Sequence, residues 1–134
     1  MKLSEFRRRE EVGQAGVWVD LGEGLRVKVA RMSRTNVNYR NALQQLGRPH
    51  RSLVRRTGEM PEDVAEQITL EAAAKHILLG WEGLVEDDGT EIEYSPEKAL
   101  EVLTEFPEFT DLVFEAAQDL ATFAERELED AAGN

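Results

Sequence analysis

The chain has 134 residues, 41% of them hydrophobic and 32% charged, with a formal net charge of −11. That length suits one domain with a sizeable core, and the charge fraction exceeds the usual quarter, so the surface is well solvated. Without cysteine, disulfides, thiolate zinc sites and cysteine nucleophiles are excluded. The net charge hides a division. Residues 1–57 carry 13 Lys and Arg against 5 Asp and Glu, a net +8, while residues 58–134 carry 3 against 22, a net −19. The N-terminus has no apolar run and does not read as a signal peptide, and no apolar stretch nears the ~20 residues that span a bilayer.

Residues 1–14 are polar and basic, with Arg7, Arg8 and Arg9 in a row, and read as a frayed arm unless Leu3 and Phe6 dock a short helix. From Gly16 to Ala30, Val17, Val19 and Leu21, then Leu25, Val27 and Val29, alternate with Trp18, Asp20, Arg26 and Lys28. This predicts a hairpin with one aliphatic and one basic face, turning at Gly22-Glu23-Gly24. A lone hairpin is marginal in water, so its aliphatic face must pack on a helix or a third strand.

Ser33–Gly47 reads as a helix capped by Thr35 or Asn36 and ended by Gly47, with Pro49 blocking continuation. A short second helix through Leu53 and Val54 follows, then a turn at Thr57-Gly58-Glu59. Pro61–Leu79 is predicted as a long central helix, enclosed at Ile77-Leu78-Leu79 and stopped by Gly80 in the left-handed conformation. Trp81 then leaves the helix. Asp87-Asp88-Gly89 between apolar pairs signals a second small hairpin, and Ser95-Pro96-Glu97 starts a new helix. Ala99, Leu100, Leu103 and Phe106 give that helix its inner face, and Pro107 breaks it. Glu108–Ala131 is the last helix, striped by Phe109, Leu112, Val113, Ala116, Leu120, Phe123 and Ala124.

The predicted fold is α+β and predominantly α-helical: an N-terminal β-hairpin packed on a compact bundle of four to five helices. The core is expected around Ile77, Leu78, Trp81, Leu100, Leu112 and Leu120. The chain reads as a single domain, 1–134, with a flexible basic arm at 1–14, a basic hairpin-helix part at 15–57 and an acidic helical part at 58–134.

No arrangement of residues carries a reaction. A calcium loop with Gly89 sixth would need oxygen ligands where Leu84 and Ser95 stand. His50 and His76 have no ligand-spaced partner. No pair of carboxylates is singled out, and Gly22 and Gly24 lie in a hairpin loop, not in a phosphate cradle. The expectation is a non-enzymatic protein with no cofactor and no metal. The basic half offers a sharper alternative: Arg26, Lys28, Arg40, Arg48, Arg51, Arg55 and Arg56, with the arm Arg7 to Arg9, present a phosphate-binding composition, and Trp18 shares the basic face as a stacking residue. Against it stands the −19 of the second half, with no zinc module and no recognition-helix motif. Phe114 and Leu128, at the margin of the last helix's stripe, are the apolar residues expected to stay open to a partner.

Several segments resemble, in order, the tail assembly chaperones of long-tailed bacteriophages. The hairpin GVWVDLGEGLRVKVAR is similar to their N-terminal sheet element. Asn36, Tyr39 and Arg40 match an Asn-x-x-Tyr-Arg helix start, with Val37 where the family usually has Pro. Trp81, Gly83, Leu84, Asp88 and Gly89 match a Trp-x-Gly-Leu and Asp-Gly segment. Tyr94, Ser95, Glu97 and Ala99 match the next helix entry, and Phe123, Glu127 and Asn134 the end. The resemblance spans Val12 to Asn134. It implies a non-enzymatic protein of the host cell cytoplasm, absent from the mature virion, that coats the tape-measure protein and recruits major tail (tube) protein subunits. The charge division suits a homo-oligomer in which a basic face meets a neighbour's acidic face. No membrane partner is expected, and a small nucleic-acid-binding protein is the alternative. Trp18, Arg26, Lys28, Arg40, Arg51, Arg55, Phe114 and Leu128 are the expected partner-binding residues.

Overall fold

The structure, a computed structural model, describes residues 1–124. It is α+β, with a three-stranded antiparallel sheet set among helices. Strands β1 (Val17–Gly22) and β2 (Leu25–Val29) form the expected hairpin, with Val17 opposite Val29 and Val19 opposite Val27. Its turn is tight enough to hold Gly22, Glu23 and Gly24 all at positive φ. Val27 and Val29 are fully buried, and Arg26 and Lys28 point the other way.

The third strand is the main departure from expectation. The central helix ends at His76, and Leu78–Glu82 is strand β3, paired antiparallel to β2. A short apolar run such as Leu78-Leu79-Gly80-Trp81 reads equally well as a buried helix end or a buried strand. The hairpin's open β2 edge decides it: Arg26 pairs with Glu82, Val27 with Trp81 and Lys28 with Gly80. Gly80 is therefore a strand residue with ordinary φ, not a left-handed stop.

The helices are α1 (Leu3–Ala15), α2 (Val37–Gly47), α3 (Arg51–Thr57), α4 (Glu62–His76), α5 (Pro96–Glu105) and α6 (Pro107–Gln118). Helix α1 replaces the frayed arm. It does not dock through Leu3 and Phe6, which are exposed; Val12 packs against the core, and Gly13 lies against Arg31 close enough that a Cβ would touch its Cβ at 3.0 Å. Asn36 caps α2, accepting from the Tyr39 amide at 3.1 Å, and its Nδ2 donates to the Arg31 carbonyl. Gly47 does not end that helix in the left-handed region; the chain runs on through a 3₁₀ turn, Arg48–His50, where Pro49 fits the first positions. The left-handed stop is Gly58, after α3.

Helix α4 lies between α2 and α5, and Ala72, Ala73 and Ala74 are buried there because small side chains let helices approach on several sides. Ser95 caps α5, accepting from the Lys98 amide at 3.0 Å. Residues 84–92 form the expected Asp-Gly turn as a single bridge, Val85 to Glu91, without extended strands. The last helix is interrupted: α6 ends at Gln118, and Asp119 adopts an extended conformation and caps a further turn through its carboxylate, which accepts from the Ala121 amide at 2.9 Å. The break displaces the part of the predicted stripe that follows it, while Leu112, inside α6, lies at the margin of the face that Phe109, Val113 and Ala117 bury. Phe109, Val113, Ala117 and Phe123 are buried, but Leu112 is exposed and Leu120 is 63% exposed, so neither belongs to the core. Leu100 is half-buried at the core's edge.

Basic and acidic halves share one sheet and one core. Three successive amides after β2 tie the elements together: Ala30 donates to the Ile77 carbonyl, Arg31 to Gly13 at the end of α1, and Met32 to Ala117 near the end of α6, at 2.7 to 2.9 Å.

Candidate functional site

Of the partner-binding residues expected from the sequence, the fold gathers Trp18, Arg26 and Lys28 on the outer face of the sheet. Trp18 and Lys28 are cross-strand neighbours, and the Trp18 indole lies near Gly80, where a Cβ would be 3.5 Å from its ring. The Arg26 guanidinium stands 5.2 Å from the Trp18 ring centre, and its Nη1 is 3.2 Å from Oε2 of Glu82. Arg26 is thus engaged on two sides, by a π face and by a carboxylate. Glu82 escaped the sequence reading because only the β2–β3 register brings it there.

Arg40 lies in the first turn of α2, where Nη1 donates to the Arg34 carbonyl at 3.4 Å. Arg51 and Arg55 are exposed on α3. Phe114 is half-buried against the core and is less open than expected; Leu128 lies outside the described residues.

Among the described residues, no group of three or more His, Asp or Glu could hold a metal ion. His76, at the end of α4, borders a hollow of about 220 Å³ with Glu71, Lys75 and Glu97. That is smaller than the ~300 Å³ at which ligand pockets begin. Burial pushes the His76 imidazole below its ordinary pKa, and the neighbouring Lys75 adds to this. Burial raises the Tyr94 phenol, whose hydroxyl donates to the Leu78 carbonyl at 2.7 Å and so pins the start of β3. Among the described residues, no helix is long and apolar enough to cross a membrane.

The sequence reading missed a groove of about 540 Å³ between the Asp-Gly loop, α5 and the start of α6. Its floor includes Leu84, Ile92 and Phe109. Its open apolar side chains are Val85, Phe106 and Leu112, with Phe106 52% exposed. Phe106 was expected on the inner face of α5. It is instead the residue before Pro107, which the proline ring excludes from helical geometry, and at ψ 83° the chain turns it outward. Glu86, Asp87, Glu105 and Glu108 rim the groove; Lys98, which also lines it, is 3.5 Å from Glu101. The Phe-Pro pair was the available signal, because a large apolar residue at a helix-breaking corner loses the inward direction that periodicity assigns.

The groove is held on a rigid joint. Trp81 is buried behind it, with its indole N–H donating to the Ile92 carbonyl at 2.7 Å and its ring edge-to-face with Tyr94 and Phe109, at 5.1 and 6.4 Å between centres. Thr110 closes the α5–α6 corner by donating to the Leu103 carbonyl at 2.7 Å.

Comparison with curated proteins and with solved structures gives no match. Comparison with protein families gives one: the model described as YdaY prophage protein matches residues 34–134. That span takes in α2 to α6, β3 and the groove, about three-quarters of the sequence. The chain is phage-derived and belongs to the YdaY prophage protein family.

Proposed function

We propose that this phage protein is a non-enzymatic tail assembly chaperone that binds the tape-measure protein and recruits tail-tube subunits in the host cytoplasm, without entering the mature virion. One observation carries the reading: Val85, Phe106 and Leu112 are open to solvent together along one groove. Open apolar strips rimmed by polar residues mark protein-binding surfaces, and a groove of this kind takes the apolar face of an amphipathic helix. A tape-measure protein, long and helical, offers many such faces. The nucleic-acid alternative draws less support, because Arg26 is already paired with Glu82.

The test is co-expression with the tape-measure protein of the same phage. A soluble complex that co-purifies is expected, and Phe106→Lys in the groove should return the client to the insoluble fraction. A client that stays insoluble beside the wild-type protein, with nothing co-purifying, overturns the reading.

A further inference from the structure

Each open apolar residue of the groove has acid beside it. Val85 is followed by Glu86 and Asp87. Phe106 lies between Glu105 and, past Pro107, Glu108. Leu112 is four residues on from Glu108, so the two share a face of α6. All four carboxylates are exposed, and none is in an ion pair among the described residues. Lys98 lines the groove too, but its ammonium is 3.5 Å from Glu101, so that charge is already answered.

Local structure accounts for one of these acids and not for another. Glu108 stands in the first turn of α6, where the helix dipole favours a carboxylate. Glu105 is the last residue of α5, where the dipole disfavours one and a cation would suit better. Carboxylates held together without cations also repel one another in the free protein. A partner that brings positive charge to the groove relieves both costs.

We propose that the groove selects its partner by charge, taking helices whose apolar stripe is flanked by Lys or Arg and rejecting those flanked by Asp or Glu. The inference rests on the groove being the client site, and adds which segments of a client it accepts. The apolar stripe covers Val85, Phe106 and Leu112. Long Lys and Arg stems lie along the same apolar surface while their heads reach the carboxylates at the rim. Acidic flanks meet like charge there, and this repulsion supplies the discrimination. Each exposed charge pair is weak, but several of one sign together give roughly tenfold selection at low salt.

The test is fluorescence anisotropy of three labelled synthetic helices with the full chain at low salt. The peptides share one leucine stripe at positions i, i+3, i+4 and i+7, carry Lys, Gln or Glu flanks, and are matched in helicity by circular dichroism. Affinity should fall from Lys to Gln to Glu, by about tenfold at the first step. Glu105→Lys, which suits the end of α5, should abolish or reverse that order. Glu66→Lys changes the net charge equally on an exposed position of α4 outside the groove, and should leave the order intact. Phe106→Ser should weaken the Lys-flanked peptide by at least as much. Equal binding of all three peptides overturns charge selection and leaves the groove as the client site. An order that survives Glu105→Lys, or is lost equally in Glu66→Lys, overturns it too, because the preference then belongs to the protein's net charge. Failure of every peptide to bind, or full binding to Phe106→Ser, overturns both the selection and the groove reading.

Discussion

Arg26 and Glu82 face each other across the β2–β3 ladder, with guanidinium Nη1 3.2 Å from carboxylate Oε2. One comes from the basic half of the chain and the other from the acidic half, so part of the charge division is answered inside the molecule. Both side chains are about half exposed, which keeps the pair weak. Glu82→Gln should change the unfolding free energy by under about 1 kcal/mol in urea titration. It also releases Arg26. If the basic face served nucleic acid, this variant would bind a DNA duplex more tightly than wild type in a gel shift at physiological salt; the expected result is no shifted band for either.

Trp81 joins β3 to the Asp-Gly loop and to α6. Trp81→Phe keeps most of the apolar volume and an aromatic ring against Tyr94 and Phe109, but it leaves the Ile92 carbonyl without its donor. A loss of about 1–3 kcal/mol is expected from denaturant unfolding, the range for an orphaned polar group. A variant as stable as wild type would show that the 2.7 Å bond contributes nothing net.

Gly80 and Gly83 stand three residues apart and should behave oppositely. At Gly83, φ is +81° and a Cβ would collide with the carbonyl of Gly24 in the hairpin turn. Gly83→Ala should cost about 2 kcal/mol or more, combining the left-handed penalty with displacement of that turn. At Gly80 the backbone is ordinary and a Cβ would meet the Trp18 ring at 3.5 Å, a normal contact. Gly80→Ala should be neutral to stabilising, within about 1 kcal/mol, because alanine loses less backbone entropy on folding. Thermal unfolding of the two variants side by side gives the answer; the reverse order would restore Gly80 as a helix stop.

His76 gives the fold a small acid sensitivity. Burial, then Lys75, lowers its pKa in the folded state below the ordinary 6.5. The unfolded chain therefore binds the proton more readily. The stability this confers is present above pH 6.5 and is lost as the pH falls through the folded value. His76→Gln should flatten the dependence of the melting temperature on pH between about 7 and 5, relative to wild type. Carboxylates titrate in both proteins, so the difference between the two profiles is the readout, and parallel profiles would remove His76 as the cause.

Much of the fold was legible from local chemistry. The Val/Leu alternation over Gly16–Ala30 requires a strand pair, Asn36 and Ser95 offer side-chain oxygens to free helix amides, and Pro96 and Pro107 fit only first turns. The need for a partner against the hairpin was legible too, since two strands do not hold alone. The identity of that partner was not, because Leu78–Glu82 carries no periodicity that separates strand from helix.

The candidate groove was the least legible part. Its walls come from three segments, and Leu112 and Phe106 both lie on helical patterns that read as inward-facing. The bend at Pro107 turns Phe106 out of the α5 pattern, and Leu112 sits at the margin of the α6 face that Phe109, Val113 and Ala117 bury.

The sequence by itself determined what each short stretch does alone: where helices begin, where the chain must turn, which strand face is greasy, and how charge divides between the halves. These follow from contacts within a few residues, which any neighbouring structure must respect. Only the tertiary structure decided that Leu78–Glu82 extends a sheet, that Glu82 answers Arg26, and that Val85, Phe106 and Leu112 open to solvent together. Those outcomes depend on partners that reach each other only once the chain has folded, where pairing with an open strand edge outweighs a local preference for helix.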